Sequence, residues 1–258
     1  MCYTDCFNQP EKIKQELSTE DALRILHEMH AAGVMELVFT GGDPLARPDF
    51  LTIYEEAFRL GFLVAVFTNG TLFTPRILES WRQHPPQRVE ISIHGITSNT
   101  FDRVTGIPGS WERCKAGVLQ IQELNIPLVL KTVILSLNQS EILHIKKWAE
   151  SLGPGVISRM DSSLRDDLSG DLHPKQFEVS VQDLDGIMGQ DPVLREAWLA
   201  PHNAGKSKCA GGDTTFHIDA YGVMQRCTSN RRGGYDLRNG NFLDGFEKAL
   251  PTFPCPKR

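Results

Sequence analysis

Five short apolar segments, rich in β-branched residues, alternate with amphipathic segments through the first 160 residues of this 258-residue chain. One segment of each kind recurs about every 25–30 residues, which is the spacing of strand–helix units. Such alternation predicts a parallel sheet whose strands are connected by helices that pack on the sheet. The predicted strands are ELVFTGG, FLVAVFTNG, RVEISIHG, LVLKTVILSLN and GVISRMD.

Polar and glycine residues repeatedly follow the ends of these predicted strands. In a β/α barrel, the loops at that end of the strands form the active face. The sequence therefore favours an α/β fold with a closed or partly closed (β/α) barrel over an open, doubly wound sheet. We expect one further strand of this barrel to precede residue 1.

The pattern changes twice after the predicted barrel, which we place at residues 1–160. Residues 161–208 are polar and rich in turn-forming residues, with two segments typical of short helices, and we interpret them as a connecting region. Residues 209–258 begin with a predicted β-hairpin, in which Phe216 and Ile218 alternate before a DAYG turn and the strand resumes at Val223. Cys209 and Cys227 bracket this hairpin.

Composition and charge narrow the functional classes. The formal net charge is −5 and the chain has no run of Lys and Arg, so we expect no nucleic-acid partner. No apolar stretch approaches the roughly 20 residues that span a membrane, and the start lacks the apolar run of a secretory signal. We therefore expect a cytoplasmic protein without a membrane partner. Its six cysteines should stay reduced there, which favours metal or redox chemistry over disulfides.

Small polar residues follow three consecutive predicted strands. Gly41 and Gly42 allow a ligand to approach the backbone, and Asp43 before Pro44 adds a carboxylate acceptor that suits a ligand ammonium group. A tight strand-to-helix turn is the alternative interpretation of this segment. Asn69 lies in the TNG segment after the second strand, and Ser92 with His94 follows the third.

Four segments in this order, TGGDPLARPDF, TNGTL, ISIHG and TGIPGSWERC, resemble the radical S-adenosylmethionine (radical SAM) enzymes. The resemblance implies a partial β/α barrel with a [4Fe–4S] cluster on a C-x3-C-x2-C motif. Such enzymes are oxidoreductases or maturases that cleave S-adenosylmethionine reductively and abstract a substrate hydrogen. Implied partners are a peptide or small-molecule substrate and an electron donor such as flavodoxin or ferredoxin. The implied cofactor-binding residues are Gly41, Gly42, Asp43, Pro44, Asn69 and Ser92.

The resemblance gives two alignments for the first cysteines. Met1-Cys2-Tyr3 fits the third cluster ligand, which places the first two ligands before residue 1 and makes Cys6 a bystander. If Cys2 and Cys6 instead formed the C-x3-C pair, position 9 would be cysteine, but it is Gln9. We favour Cys2 as the third ligand, in a chain truncated at its N-terminus.

A second cysteine group resembles the SPASM extension of peptide-modifying radical SAM enzymes. Cys209, Gly222 and Cys227 match its opening, which implies an auxiliary iron–sulfur cluster. We add Cys255 as a further ligand, although its expected partner position is Arg258, where the chain ends, so this end also looks truncated. A zinc site that includes His217 and Cys255 is the alternative.

A second functional class remains open from the sequence. A non-catalytic iron–sulfur or zinc-binding barrel scaffold would also account for a chain with Cys2 alone in its first motif. Coding sequence upstream of Met1 distinguishes these hypotheses, because the enzyme hypothesis requires two more cysteines in frame.

Overall fold

The computed structural model describes residues 10–164, 173–203, 210–228 and 232–255 of the chain. Within these residues, five strands form one parallel sheet in the order β1-β2-β3-β4-β5. The predicted strands and their parallel order are thereby confirmed. The strands are β1 (Glu36–Phe39), β2 (Leu63–Thr68), β3 (Arg88–Ser92), β4 (Leu128–Val133) and β5 (Val156–Asp161).

Five of the described helices lie between strands of the parallel sheet, four of them in predicted amphipathic segments, and the other five precede or follow the sheet. The described helices are α1 (Pro10–Ile13), α2 (Thr19–Ala31), α3 (Phe50–Arg59), α4 (Pro75–Gln83), α5 (Ser98–Thr105), α6 (Ser110–Glu123), α7 (Ile142–Ser151), α8 (Val181–Met188), α9 (Pro192–Asn203) and α10 (Phe242–Asp244). Short 3-10 helices lie at Pro44–Ala46, Gln139–Glu141, Pro174–Phe177 and Leu250–Thr252, and a π-helix at Gly245–Ala249.

Local chemistry explains how individual helices begin and end. Ser18 caps α2 by accepting a hydrogen bond from the backbone N–H of Asp21 at 3.1 Å, as the Ser-x-x-Asp pattern predicts. Gly106 ends α5 with φ of 72°, a left-handed conformation that glycine adopts without steric cost.

The two faces of the parallel sheet differ in chemistry because side chains alternate along each strand. Val64, Val66, Ile91 and Leu130 point to one face and are buried in the main hydrophobic core. Burial of each such side chain stabilises the fold by roughly 1.5–3 kcal/mol. The opposite, concave face carries the charged side chains of Arg88, Glu90, Lys131 and Arg159.

A small antiparallel sheet forms the C-terminal part of the described chain. Three strands there, β6 (His217–Ile218), β7 (Val223–Gln225) and β8 (Tyr235–Asp236), pair in sequence order. The predicted hairpin is confirmed, whereas β8 has only two residues and was not predicted.

Helix α2 joins this small sheet to the barrel. The Arg24 guanidinium donates to the Leu237 carbonyl at 2.7 Å, and the Glu28 carboxylate accepts from the Phe242 N–H at 2.7 Å. The fold class, a partial (β/α) barrel followed by a small β extension, is therefore confirmed. The division at residues 160 and 208 stays a prediction. Among the described helices, none has the length and apolar character needed to cross a membrane.

Candidate functional site

Asp43 joins the ends of the first two strands. Its Oδ2 accepts hydrogen bonds from the Thr68 hydroxyl and the Asn69 N–H, both at 2.7 Å, and its Oδ1 accepts from the Leu45 N–H at 2.9 Å. The loop after β1 is thereby fixed to the loop after β2 at the carboxyl edge of the sheet. In parallel α/β proteins, this edge is where ligands bind.

The Asp43 carboxylate is half-buried and lacks a cationic partner within the described part of the chain. Burial raises the pKa of this carboxyl above its usual value, although the hydrogen bonds from Asn69, Thr68 and Leu45 oppose that effect. A carboxylate has about four lone-pair sites, and the three donors leave one for a ligand. The chemistry therefore fits a ligand ammonium group, which would compensate for the lost solvation.

The glycines before Asp43 leave space for such a ligand. Gly41 has φ of 137°, a conformation that side-chain-bearing residues rarely adopt, and nothing lies within 4 Å of the position that a Cβ would occupy. Gly42 and Pro44 complete the loop, and Pro44 starts the 3-10 helix that follows. Asn69 is exposed beside them and accepts from the Thr71 N–H at 2.8 Å.

Helix α6 packs closely against the ends of β2 and β3. The buried Cys114 thiol donates a weak hydrogen bond to the Ser92 carbonyl at 3.9 Å, and a Cβ added at Gly70 would lie 3.3 Å from Cys114 Sγ. Burial, followed by the charge of Asp43, raises the pKa of Cys114 to about 12, so the thiol is protonated. Cys114 is thus a core residue that contacts the end of β3 at Ser92.

His94 lies two residues beyond Ser92 and is held in a neutral state. Its ring centroid is 5.6 Å from that of Phe101, and its buried Nδ1 has no hydrogen-bond partner in the described structure. Burial lowers the pKa of His94 to about 4. The structure therefore leaves one buried nitrogen of His94 unsatisfied by the described chain.

Glu141 fixes the loop between β3 and α5. Its carboxylate accepts hydrogen bonds from the Thr97 and Thr100 hydroxyls at 2.6 Å and from the Ile96 N–H at 2.7 Å. Burial acts to raise the pKa of Glu141, but these hydrogen bonds outweigh it and leave the pKa below its usual value. Sequence analysis did not identify this residue.

The concave face carries a charged group that sequence analysis also missed. Glu90 is fully buried on β3, and Arg88, Lys131 and Arg159 form ion pairs with it. The available signal was the charged residues within predicted strands, among them Glu90 in RVEIS, Lys131 in LVLKTV and Arg159 in VISRMD.

Two of the four proposed cysteine ligands fall within the described residues. Cys227 and Cys255 are free thiols of intermediate exposure, whereas Cys2 and Cys209 lie outside the described residues. Among described side chains, no three from His, Cys, Asp and Glu converge as a metal site. The assignment of all four cysteines stays a prediction.

Arg226 connects the segments that carry Cys227 and Cys255. Its Nη1 donates to three backbone carbonyl oxygens of residues 250–253, at 3.0–3.2 Å. Its Nε and Nη2 are buried and donate to no acceptor of the described chain. Buried donors normally have partners, so these two N–H groups fit an anionic acceptor such as a thiolate or a cluster sulfide.

Comparison with protein families identifies the barrel. Residues 1–149 match the Radical SAM superfamily. The chain is 31% identical over 189 residues to an AdoMet-dependent heme synthase of Methanosarcina barkeri, covering 72% of this chain and 54% of the relative. It is 30% identical over 139 residues to a PqqA peptide cyclase of Ruegeria pomeroyi, covering 54% of this chain and 37% of that protein. The chain thus spans about half, or less, of the length of these relatives.

Solved structures share the fold at low sequence identity. Streptococcus suis SuiB bound to the precursor peptide SuiA has a TM-score of 0.69 at 14% identity, covering 90% of this chain and 58% of SuiB. Native anSMEcpe with bound AdoMet has a TM-score of 0.65 at 14% identity, covering 90% of this chain and 72% of anSMEcpe.

Proposed function

Because the chain belongs to the radical SAM superfamily, we propose that its protein cleaves S-adenosylmethionine reductively and uses the product to abstract a hydrogen atom from its substrate. The observation that carries this proposal is the Asp43 carboxylate. It is half-buried at the carboxyl edge of the sheet, without a cationic partner in the described residues and with one acceptor site free. The amino group of S-adenosylmethionine supplies the cation that this site lacks.

The residues of the chain bind and orient the cofactor. The Gly41–Gly42 backbone admits the methionine moiety, Asp43 accepts from its ammonium, and Pro44 fixes the loop. Asn69 and Ser92 line the neighbouring strand ends. Cys2 would be one ligand of a [4Fe–4S] cluster, which when bound and reduced would supply the electron for cleavage of the carbon–sulfur bond. The barrel excludes water from the reactive species.

The C-terminal sheet holds an auxiliary iron–sulfur cluster in this proposal. Cys209, Cys227 and Cys255 are its ligands, and the buried Arg226 Nε and Nη2 donate to their thiolates or to cluster sulfides. Zinc bound by the same hairpin is the alternative.

The substrate is a peptide or a small molecule. A peptide is supported by relatives named PqqA peptide cyclase and by the SuiB structure with its precursor peptide, and a small molecule by the heme synthases. Flavodoxin or ferredoxin supplies the electron, and we place the protein in the cytoplasm.

Metal analysis and spectroscopy test the proposal. The protein is produced with any coding sequence that continues in frame upstream of Met1, purified without oxygen and reduced. We expect a brown protein whose electron paramagnetic resonance signal changes when S-adenosylmethionine is added. A colourless protein with stoichiometric zinc after anaerobic reconstitution would support the scaffold hypothesis instead.

A further inference from the structure

The concave face of the sheet holds one buried carboxylate among three cations. The Glu90 side chain is 0% exposed, and its Oε1 lies 2.8 Å from Arg88 Nε. Its Oε2 lies 3.1 Å from Lys131 Nζ and 3.8 Å from an Nη of Arg159. Three positive charges around one negative charge leave this group with a net positive charge, so it favours an anion.

Lys131 and Arg159 keep hydrogen-bond donors free. The Lys131 contact with Glu90 is an ion pair without hydrogen-bond alignment, since Glu90 Oε2 accepts no hydrogen bond from the described chain. Lys131 Nζ also lies 4.3 Å from the centroid of the Phe67 ring, a cation–π contact that adds no hydrogen-bond acceptor for its three N–H groups. The Lys131 and Arg159 side chains are 38% and 59% exposed, so both reach the open face.

Strand register places these two cations beside the candidate cofactor site. Ser92 pairs with Lys131, and Lys131 pairs with Arg159, so the three residues form one row across β3, β4 and β5. Neighbouring strands lie about 4.8 Å apart, and paired residues point to the same face. The cations are therefore next to the strand end that carries Ser92.

The adjacent row is mostly apolar. Phe67 pairs with Glu90, Glu90 with Val129, and Val129 with Ile157, which is 58% exposed. A ligand on this face would contact apolar side chains with its body and the cations with an anionic group.

Two other carboxylates on the concave face leave the cations free. Asp161 lies two residues beyond Arg159, and its Oδ1 accepts from the Ser163 N–H and hydroxyl at 2.8 and 2.7 Å. Glu36 pairs with Leu63 at the opposite end of the strands. Neither carboxylate forms a described ion pair with Lys131 or Arg159.

We propose that Lys131 and Arg159 bind a carboxylate of the substrate on the concave face, with Glu90 holding both cations in position. The proposal deepens the proposed function and rests on it, because it defines the substrate as a carboxylate joined to an apolar body. A carboxylate has two oxygens, so one accepts from the Lys131 ammonium and the other from the Arg159 guanidinium. The carboxylate of S-adenosylmethionine is the other possible source, and the test separates the two.

The test compares 4-phenylbutyrate with its neutral amide, 4-phenylbutanamide, by NMR titration of the reconstituted protein at low ionic strength. We expect the carboxylate to bind about tenfold more tightly than the amide, since charge-assisted hydrogen bonds are the stronger kind. Lys131→Met and Arg159→Met should each remove most of that preference. Each variant leaves two cations beside Glu90, so the buried carboxylate stays paired. Arg159→Lys, which keeps the positive charge, should show more of the preference for the carboxylate than Arg159→Met does.

Arg82→Met is the matched control, because Arg82 is 61% exposed and pairs with Glu79 on a different surface. It should bind 4-phenylbutyrate like the wild-type protein. Affinity for S-adenosylmethionine, measured on the same variants, should stay within twofold of the wild-type value, on the order of experimental scatter. If wild-type protein shows no preference for the carboxylate, or both variants retain it, the proposal is wrong.

Loss of S-adenosylmethionine affinity in both variants, with 4-phenylbutyrate binding retained, would assign the cations to the cofactor and also overturn the proposal. The binding of 4-phenylbutyrate is measured without any cleavage of S-adenosylmethionine, so it does not depend on that activity. If cleavage is absent but carboxylate binding depends on Lys131 and Arg159, the proposed function fails while the carboxylate site stands.

Discussion

The Thr68 hydroxyl donates a 2.7 Å hydrogen bond to Asp43 Oδ2 and thereby connects residues 25 positions apart in the chain. Thr68 is 5% exposed, so water does not replace this bond readily. The contact holds the glycine loop after β1 against the end of β2. The geometry of the proposed cofactor site therefore depends on the packing of two neighbouring strands.

Asp43→Ala removes the proposed acceptor of the cofactor ammonium. We expect affinity for S-adenosylmethionine to fall about ten- to a hundredfold, because a charge-assisted hydrogen bond contributes roughly 1.5–3 kcal/mol. Calorimetric titration of the reconstituted protein measures this. Asp49→Ala is the control, since Asp49 also accepts from a threonine hydroxyl, that of Thr19 at 2.6 Å, but lies outside the loop. Equal affinity in wild type and Asp43→Ala would make the segment a structural turn only.

Gly117 lets helix α6 approach the loop after β2. A Cβ at this position would overlap the Gly70 carbonyl oxygen and lie 2.8 Å from the Phe73 ring. We expect Gly117→Ala to lower the free energy of unfolding by about 3 kcal/mol, because backbone must move to make room. Gly186→Ala in α8 is the control, because nothing lies within 4 Å of its Cβ position. That change should raise stability by about 0.5–1 kcal/mol, and denaturant unfolding compares the two.

His94 should make the protein less stable in mild acid. Because burial lowers the pKa of His94 from 6.5 to about 4, the unfolded chain binds the proton more readily than the folded one. The stability is therefore fully present above pH 6.5 and is lost as the pH falls towards 4. At pH 5 the loss is about 2 kcal/mol, because each tenfold difference in proton affinity between the folded and unfolded chain corresponds to roughly 1.4 kcal/mol.

His94→Phe keeps an aromatic ring beside Phe101 and removes the titrating group. Denaturant unfolding of the variant at pH 7.5 and pH 5 should show a smaller loss of stability than in the wild type. The same loss in both proteins would assign the acid sensitivity to other groups, including Glu141, whose hydrogen-bonded carboxylate loses its contribution at a lower pH.

Cys227 should be required for the auxiliary cluster. Cys227→Ser should lower the iron content of the anaerobically reconstituted protein by about four atoms per chain if that cluster is of the [4Fe–4S] type. Cys114→Ser is the control, because the buried Cys114 thiol is protonated and hydrogen-bonded to the Ser92 carbonyl. Unchanged iron in Cys227→Ser, with the zinc content reduced instead, would identify the hairpin as a zinc site.

The sequence predicted the barrel because its signal is local. Alternating apolar and amphipathic segments indicate which residues are buried, so periodicity predicts β1 to β5 and the helices between them except α5, which the sequence did not predict. Strand β8 was missed since its two residues, Tyr235 and Asp236, are too few to show any period.

The site was predictable only in part, for a physical reason. Gly41, Gly42 and Asp43 were candidates because they directly follow a predicted strand and combine an open backbone with a carboxylate acceptor, although a tight turn would use the same residues. Partners distant in sequence do not stand out, since Thr68 and Glu141 become donor or acceptor partners only through tertiary contacts. The cluster of Glu90, Lys131 and Arg159 likewise could not be predicted without the strand register, because the register is what places Lys131 and Arg159 beside Glu90.

Formation of 5′-deoxyadenosine is the most direct test of the radical SAM function. The protein, with any coding sequence that continues in frame upstream of Met1, is reconstituted with iron and sulfide without oxygen and incubated with dithionite and S-adenosylmethionine. We predict 5′-deoxyadenosine and methionine in equal amounts, dependent on both iron and reductant, and strongly reduced in Asp43→Ala. A protein that holds its full iron complement and binds S-adenosylmethionine, yet forms no 5′-deoxyadenosine above the iron-free control, would contradict the account.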